Sequence, residues 1–197
     1  MFQKRLKLLQ NLIEHTVYTK DLEEIDGDKA LNNIHFFLEE LSHLEGVVYF
    51  IGNGGSAAIA SHFCTDFLRT LGIRAAGFFD PAILTCFSND FGYENVYKIP
   101  LSYTLKSKDC LIAISSSGES KNILAAVTLA KKKKAMTVTL TGFHVNNPLR
   151  QLGDVNFWVD SSDYGLVETA HFFFLHSIVD TFYGCKKKLN LLAKSPL

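Results

Sequence analysis

The chain has 197 residues, 47% of them hydrophobic and 20% charged, enough for one substantial domain with a buried core. Lys+Arg and Asp+Glu both number 20, so no net field favours nucleic acid or an anionic membrane as partner. Four scattered cysteines, Cys64, Cys86, Cys110 and Cys185, contain no CxxC pair, which argues against a disulfide framework or a cysteine zinc site and makes a reducing cytoplasm the expected setting.

The opening MFQKRLKLLQN mixes charge with leucine and has no long apolar core, so it does not read as a signal peptide. No segment approaches the length that spans a bilayer. Phe2, Leu6, Leu9 and Ile13 repeat at helical spacing, as do Leu31, Ile34, Leu38 and Leu41. Asp26-Gly27-Asp28 separates these two helices, and Asp28 can cap the second. Gly46 to Ile51 reads as a strand, followed by a helix from Ser56. Ala75 to Phe79 is a short strand, and Asp80-Pro81 opens a short helix through Cys86 that ends near Ser88-Asn89-Asp90. Tyr93 to Leu105 is helical in part, interrupted at Pro100. Cys110 to Ser115 is a buried strand, and a helix runs from Lys121 to Lys132. Lys131 to Lys134 close that helix, where cations suit the negative end of its dipole, and Lys186 to Lys188 read the same way. Met136 to Leu140 and Val155 to Val159 are strands, with a helical turn at Asn147-Pro148 between them. Gly165 to Lys187 is one long helix.

Apolar strands alternating with helices predict an α/β fold: a three-layer αβα sandwich on a central parallel sheet. The expected organisation is a single domain over 1–197, with a two-helix arm over 1–44 and the αβα core over 45–190. The arm's apolar stripes need a partner, either the core or another subunit.

Ligands of open parallel sheets bind beyond the carboxyl ends of the strands, and two loops of unusual composition fall there. One is Gly52-Asn53-Gly54-Gly55-Ser56; the other is Ser115-Ser116-Ser117-Gly118-Glu119-Ser120. One serine would suffice to cap a helix. Four hydroxyls, a glycine and a helix N-terminus together suit a phosphate. GxGxxG would need glycine at Ala57, and GxxxxGK[ST] is absent, which disfavours a nicotinamide enzyme or a P-loop NTPase.

His62 and Asp66 are four residues apart and share a helix face. In the last helix, Glu168 and His176 lie roughly 80° apart, while His171 falls roughly 140° from His176 and outside that cluster. Two helices, each offering a carboxylate and an imidazole, can build a four-ligand site for zinc or a similar divalent ion. A buried His–Asp pair with an unrelated capping glutamate is the competing reading. Phe172-Phe173-Phe174 reads as core.

The stretches GNGGSAA, SHFCTD, SNDFGYENVY, ISSSGESKNIL, LTG and VETAHxxxxH together resemble the sugar isomerase (SIS) domain family, and within it the phosphoheptose isomerases. The resemblance covers nearly the whole chain, arm included. It implies conversion of sedoheptulose 7-phosphate to D-glycero-D-manno-heptose 7-phosphate, through an enediol, for bacterial surface polysaccharide. It implies that Ser115, Ser116, Ser117 and Ser120 hold the phosphate. Asn53, Gly54, Gly55 and Ser56 would line the sugar, with Asn89 and Asp90 on its hydroxyls. Asp66 would be the base and His176 the acid, and His62, Asp66, Glu168 and His176 fall at metal positions, usually zinc. The family pattern also implies a homotetramer with active sites at subunit interfaces. Two positions depart from that pattern, which has glutamate at Asp66 and glutamine at Glu168. The first shortens a base whose reach matters; the second makes the cluster more anionic, favouring a cation or raising one carboxylate's pKa without one. The segment SSDYGLVE differs as well, so the sugar pocket is expected to differ.

Two functions from different classes therefore stand. One is a metal-assisted ketose–aldose isomerase of a phosphosugar. The other is a non-catalytic phosphosugar-binding or regulatory protein on the same fold, of the kind that associates with the bacterial replication initiator. The shortened Asp66 favours the second; the presence of His62, Glu168 and His176 favours the first.

Overall fold

The computed structural model of the chain describes the backbone of residues 1–193 and the side chains of residues 1–185. Seven strands form one sheet between two helical layers. The strands are β1 (Val17–Lys20), β2 (Glu23–Ile25), β3 (Val48–Gly52), β4 (Ala75–Gly77), β5 (Cys110–Ser115), β6 (Met136–Thr141) and β7 (Val155–Trp158). The helices are α1 (Phe2–Glu14), α2 (Gly27–His43), α3 (Gly55–Asp66), α4 (Pro81–Phe91), α5 (Lys98–Thr104), α6 (Lys121–Lys132) and α7 (Tyr164–Ala193). No described helix is long and apolar enough to cross a membrane.

The sheet order is β2-β1-β7-β6-β5-β3-β4. From β7 to β4 every pairing is parallel. β3 and β5 are buried along their whole length, as strands covered on both faces must be, which is why they read as continuous apolar runs. One apolar layer joins α2, α3 and α7 to one sheet face through Phe50, Phe63, Phe67 and Phe157. The other joins α5 and α6 to the opposite face through Ile51, Leu101, Leu111 and Val127.

The N-terminal region corrects the two-helix arm. Between α1 and α2 the chain forms the hairpin β1–β2, and β1 pairs antiparallel with β7, Val17 opposite Trp158. The sheet is thus parallel in its centre and antiparallel at this border. The cap of α2 is Asp26, whose side chain accepts from the Lys29 N–H, rather than Asp28. Pro100 does not break a helix; it stands in the first turn of α5, where its missing N–H costs nothing. Lys131 and Lys132 occupy the last turn of α6, and Lys133 donates to the Leu105 carbonyl beyond α5 at 2.9 Å. The last helix runs on to Ala193, so Lys186 to Lys188 do not end it; their side chains lie outside the described residues.

Candidate active site

β4 lies on one side of β3, and β5, next in the chain, lies on the other. That reversal opens a crevice at the carboxyl ends of β3 and β5, the position where doubly wound sheets take ligands. Gly52 pairs with Ile114, so the loops after β3 and β5 leave the sheet side by side.

The first loop needs its glycines for two distinct reasons. Gly54 sits at φ 53°, ψ −122°, a conformation side chains resist. At Gly55 an added Cβ would lie 2.4 Å from a Glu168 carboxylate oxygen. Asn53 exchanges amide hydrogen bonds with Asn122 of α6, at 2.9 and 2.8 Å, and its carbonyl oxygen accepts from the Tyr93 hydroxyl at 3.0 Å. This pair ties the two loops together. Asn122 and Tyr93 escaped the sequence reading; Asn122's place in the first turn after a serine loop was the available signal. Ser56 is buried in the first turn of α3.

In the second loop the Ser115 hydroxyl accepts from the Gly118 N–H at 3.2 Å and donates to Ser120 at 3.3 Å, while Ser117 accepts from the Glu119 N–H at 3.3 Å. Ser116 differs: its hydroxyl is buried and has no partner among the described residues. Gly118 has φ +67°, and a Cβ there would strike Asn147 Oδ1. The buried Asn147 in turn holds the Gly142 and His144 carbonyls at 3.1 and 2.9 Å. Ser120 is the N-cap of α6 but makes no side-chain cap bond. The loop thus offers hydroxyls and the start of a helix to an anion.

Asn89 and Asp90 stand near the end of α4, just before Tyr93, whose hydroxyl reaches Asn53. They are exposed on α4, where Asn89 donates to Asp90 at 2.9 Å.

α3 and α7 pack side by side and run the same way: Gly55 meets Glu168 at one end, and His62 and Asp66 meet His176 further on. His62 Nε2 lies 3.2 Å from Asp66 Oδ2, and His176 Nδ1 lies 3.9 Å from that same oxygen. The three ligand atoms all fall within 4.8 Å of one another. Phe63 and Phe172 flank the imidazoles, with centroids 4.7 to 5.2 Å from the neighbouring rings. Of the aromatic run, Phe174 is core, Phe172 lines the imidazoles and Phe173 is half-exposed. Directly after Asp66 the helix widens into a π-helical turn, Phe67–Leu71, closed by Gly72 at φ 65°. Two imidazole nitrogens and a carboxylate at this spacing fit zinc or a similar divalent ion, with room for a further ligand. Glu168, expected as the fourth ligand, is not in this group; its carboxylate rests over Gly55.

His171 is fully buried and faces away from the cluster, its Nε2 3.1 Å from the Thr141 carbonyl. Burial pushes its pKa down to about 4, so the ring is neutral and Nε2–H donates.

A family model, the SIS domain, matches residues 18–142. A phosphoheptose isomerase of Helicobacter pylori is 32% identical over 184 residues, spanning 88% of this chain and 95% of the relative. One of Leptospira biflexa is 35% identical over 140 residues, spanning 67% and 71%. The structure of phosphoheptose isomerase GmhA from Neisseria gonorrhoeae superposes with TM-score 0.73 at 25% identity, covering 78% of this chain and 86% of that one. The chain belongs to the SIS domain family and, within it, to the phosphoheptose isomerases, a group of aldose–ketose isomerases.

Proposed function

We propose that the chain interconverts sedoheptulose 7-phosphate and D-glycero-D-manno-heptose 7-phosphate through an enediol, in the supply of heptose for bacterial surface polysaccharide. The observation that carries this reading is the pair of loops that leave the sheet side by side at its crevice, with a group of two imidazoles and a carboxylate further along α3. The serine loop suits the phosphate, the Asn53–Ser56 loop suits a polyol, and the His62–Asp66–His176 group stands along α3 from that loop. The unpaired Ser116 hydroxyl supports the phosphate assignment, since a buried donor without a partner is costly unless a ligand takes it. Ser115, Ser117 and Ser120 complete the cradle. Asn89 and Asp90, exposed near the end of α4, would meet the sugar's hydroxyls.

Isomerisation needs a base for the C–H proton and an electrophile for the oxygens. His62, Asp66 and His176 supply the electrophilic side, by holding a divalent ion or through a proton donated from the His176 ring. A divalent ion there would act as a Lewis acid on the carbonyl. The same reading makes the chain one SIS domain, with 1–44 as its N-terminal arm and 45–190 as its core. It works in the cytoplasm as a homotetramer, whose contacts would cover the exposed Phe2 and Leu6 of α1.

The test is turnover of sedoheptulose 7-phosphate by purified protein, with and without added zinc. Turnover is expected. Phosphosugar binding with no turnover in either condition would favour the regulatory alternative instead.

A further inference from the structure

A cavity of about 470 Å³ lies at the β1 border of the sheet, lined by Thr19, Leu22, Val145, Asn146, Arg150 and Gln151. Its lining holds one cation and no carboxylate. The Arg150 guanidinium stacks 4.5 Å over the Trp158 ring and donates from Nη1 to the Val145 carbonyl at 2.9 Å. Those two contacts fix its plane and leave Nε and Nη2 without a partner among the described residues. Burial lowers the Arg150 pKa; Glu24, opposite Thr19 on β2, raises it in part without coming within ion-pair distance. The guanidinium has therefore lost some of its hydration and gained no close counter-charge. Thr19 is 8% exposed, and its hydroxyl has no partner among the described residues. A hydroxyl so deeply buried is ordinarily bonded. The side-chain amides of Asn146 and Gln151 also lack a described partner. Val145 separates this cavity from a neighbour of opposite character, where Glu119 and Asp160 stand beside Ser117.

We infer that this cavity is a second anion site, for a small molecule that carries a carboxylate or phosphate. The free N–H groups of Arg150 take the oxyanion as a fork, in a plane already set by Trp158 and Val145. Thr19 donates its hydroxyl, and the Asn146 and Gln151 amides serve the polar remainder of the molecule. Leu22 and Val145 lie against its carbon chain. The volume falls in the ordinary range of small-molecule pockets. The site stands apart from the serine cradle but is joined to it. The Arg150 N–H donates to Asn147 Oδ1 at 2.9 Å, and that oxygen fills the space beside Gly118. The Leu149 N–H donates to the Gly118 carbonyl at 3.1 Å. An anion on Arg150 thus rests on the segment that braces the serine loop.

The opposing account makes Arg150 a structural clamp, held by Trp158 and balanced by Glu24 from a distance. Trp158 is the one tryptophan of the chain, so its fluorescence reports on this site. The full chain and its R150Q, T19V, E24Q and S120A variants are titrated with succinate and with inorganic phosphate at constant ionic strength. Fluorescence, equilibrium dialysis and melting temperature are followed. Wild type should bind at least one of the two anions saturably, with a change in Trp158 emission. Tighter succinate marks a carboxylate ligand and tighter phosphate a phosphorylated one; either agrees with the proposal. By dialysis R150Q should bind at least ~10-fold more weakly and T19V about threefold more weakly, with T19V melting as wild type. E24Q should bind at least as tightly as wild type, since a repelling charge has gone. S120A should keep the emission change. No saturable binding of either anion overturns the assignment. So does binding that S120A abolishes while R150Q and T19V leave it unchanged, which would put the anion in the serine loop. If R150Q fails to fold, T19V decides: affinity equal to wild type overturns the proposal.

Discussion

His171 makes the fold sensitive to acid in a range where few other groups titrate. The ring is fully buried against the Thr141 carbonyl, and burial lowers its pKa from 6.5 to about 4. Unfolded, the ring returns to the ordinary value and binds a proton below it, so the unfolded state holds more protons between these two values. Stability therefore rises with pH across the window: it is fully present above pH 6.5 and is lost progressively as pH falls towards 4. At 1.36 kcal/mol per pKa unit, the whole shift amounts to about 3 kcal/mol, of which about 2 kcal/mol should be gone between pH 7 and pH 5. Urea unfolding at pH 7, 6 and 5, followed by circular dichroism, measures this directly. His171→Gln keeps a donor for Thr141 but does not titrate, so its stability should be lower at pH 7 and nearly flat down to pH 5. Parallel pH slopes for wild type and His171→Gln would refute the reasoning, because the loss would then come from other groups.

Gly118→Ala forces a side chain into a left-handed residue and onto Asn147, and should cost upwards of ~2 kcal/mol while weakening inorganic phosphate binding. Unchanged melting and phosphate affinity would exclude the loop geometry described above. Asp26→Ala removes the side-chain cap of α2 and should cost about 1 kcal/mol in urea unfolding at pH 7. His62→Ala removes one of three donor groups, so equilibrium dialysis against zinc should show weaker binding; an unaltered isotherm would place the ion elsewhere.

The core was legible because its signals are local. Cys110–Ser115 is an unbroken apolar run bounded by charge and serine, and Lys121–Lys132 follows a serine boundary; both match the expected limits. The hairpin was not legible. Its turn is Asp21-Leu22, at φ 50° and 71°, with no glycine or asparagine to announce it, and its strands have four and three residues. What decides them is pairing with β7, more than 130 residues away in the chain. At the site, His62 and Asp66 could be paired from helical spacing alone. Their meeting with His176 depends on how α3 and α7 align, which spacing within either helix does not determine. Glu168 shows the same limit: helical phase puts it on the side of His176, but its carboxylate lies over Gly55 because glycine leaves room there.

The β2 border of the sheet has a bearing on assembly. Its outermost strand is three residues long and presents Glu23 and Glu24 to solvent. Another strand approaching this rim would have little backbone to pair with and two negative charges to meet, so ribbon-like stacking of copies is blocked on that flank.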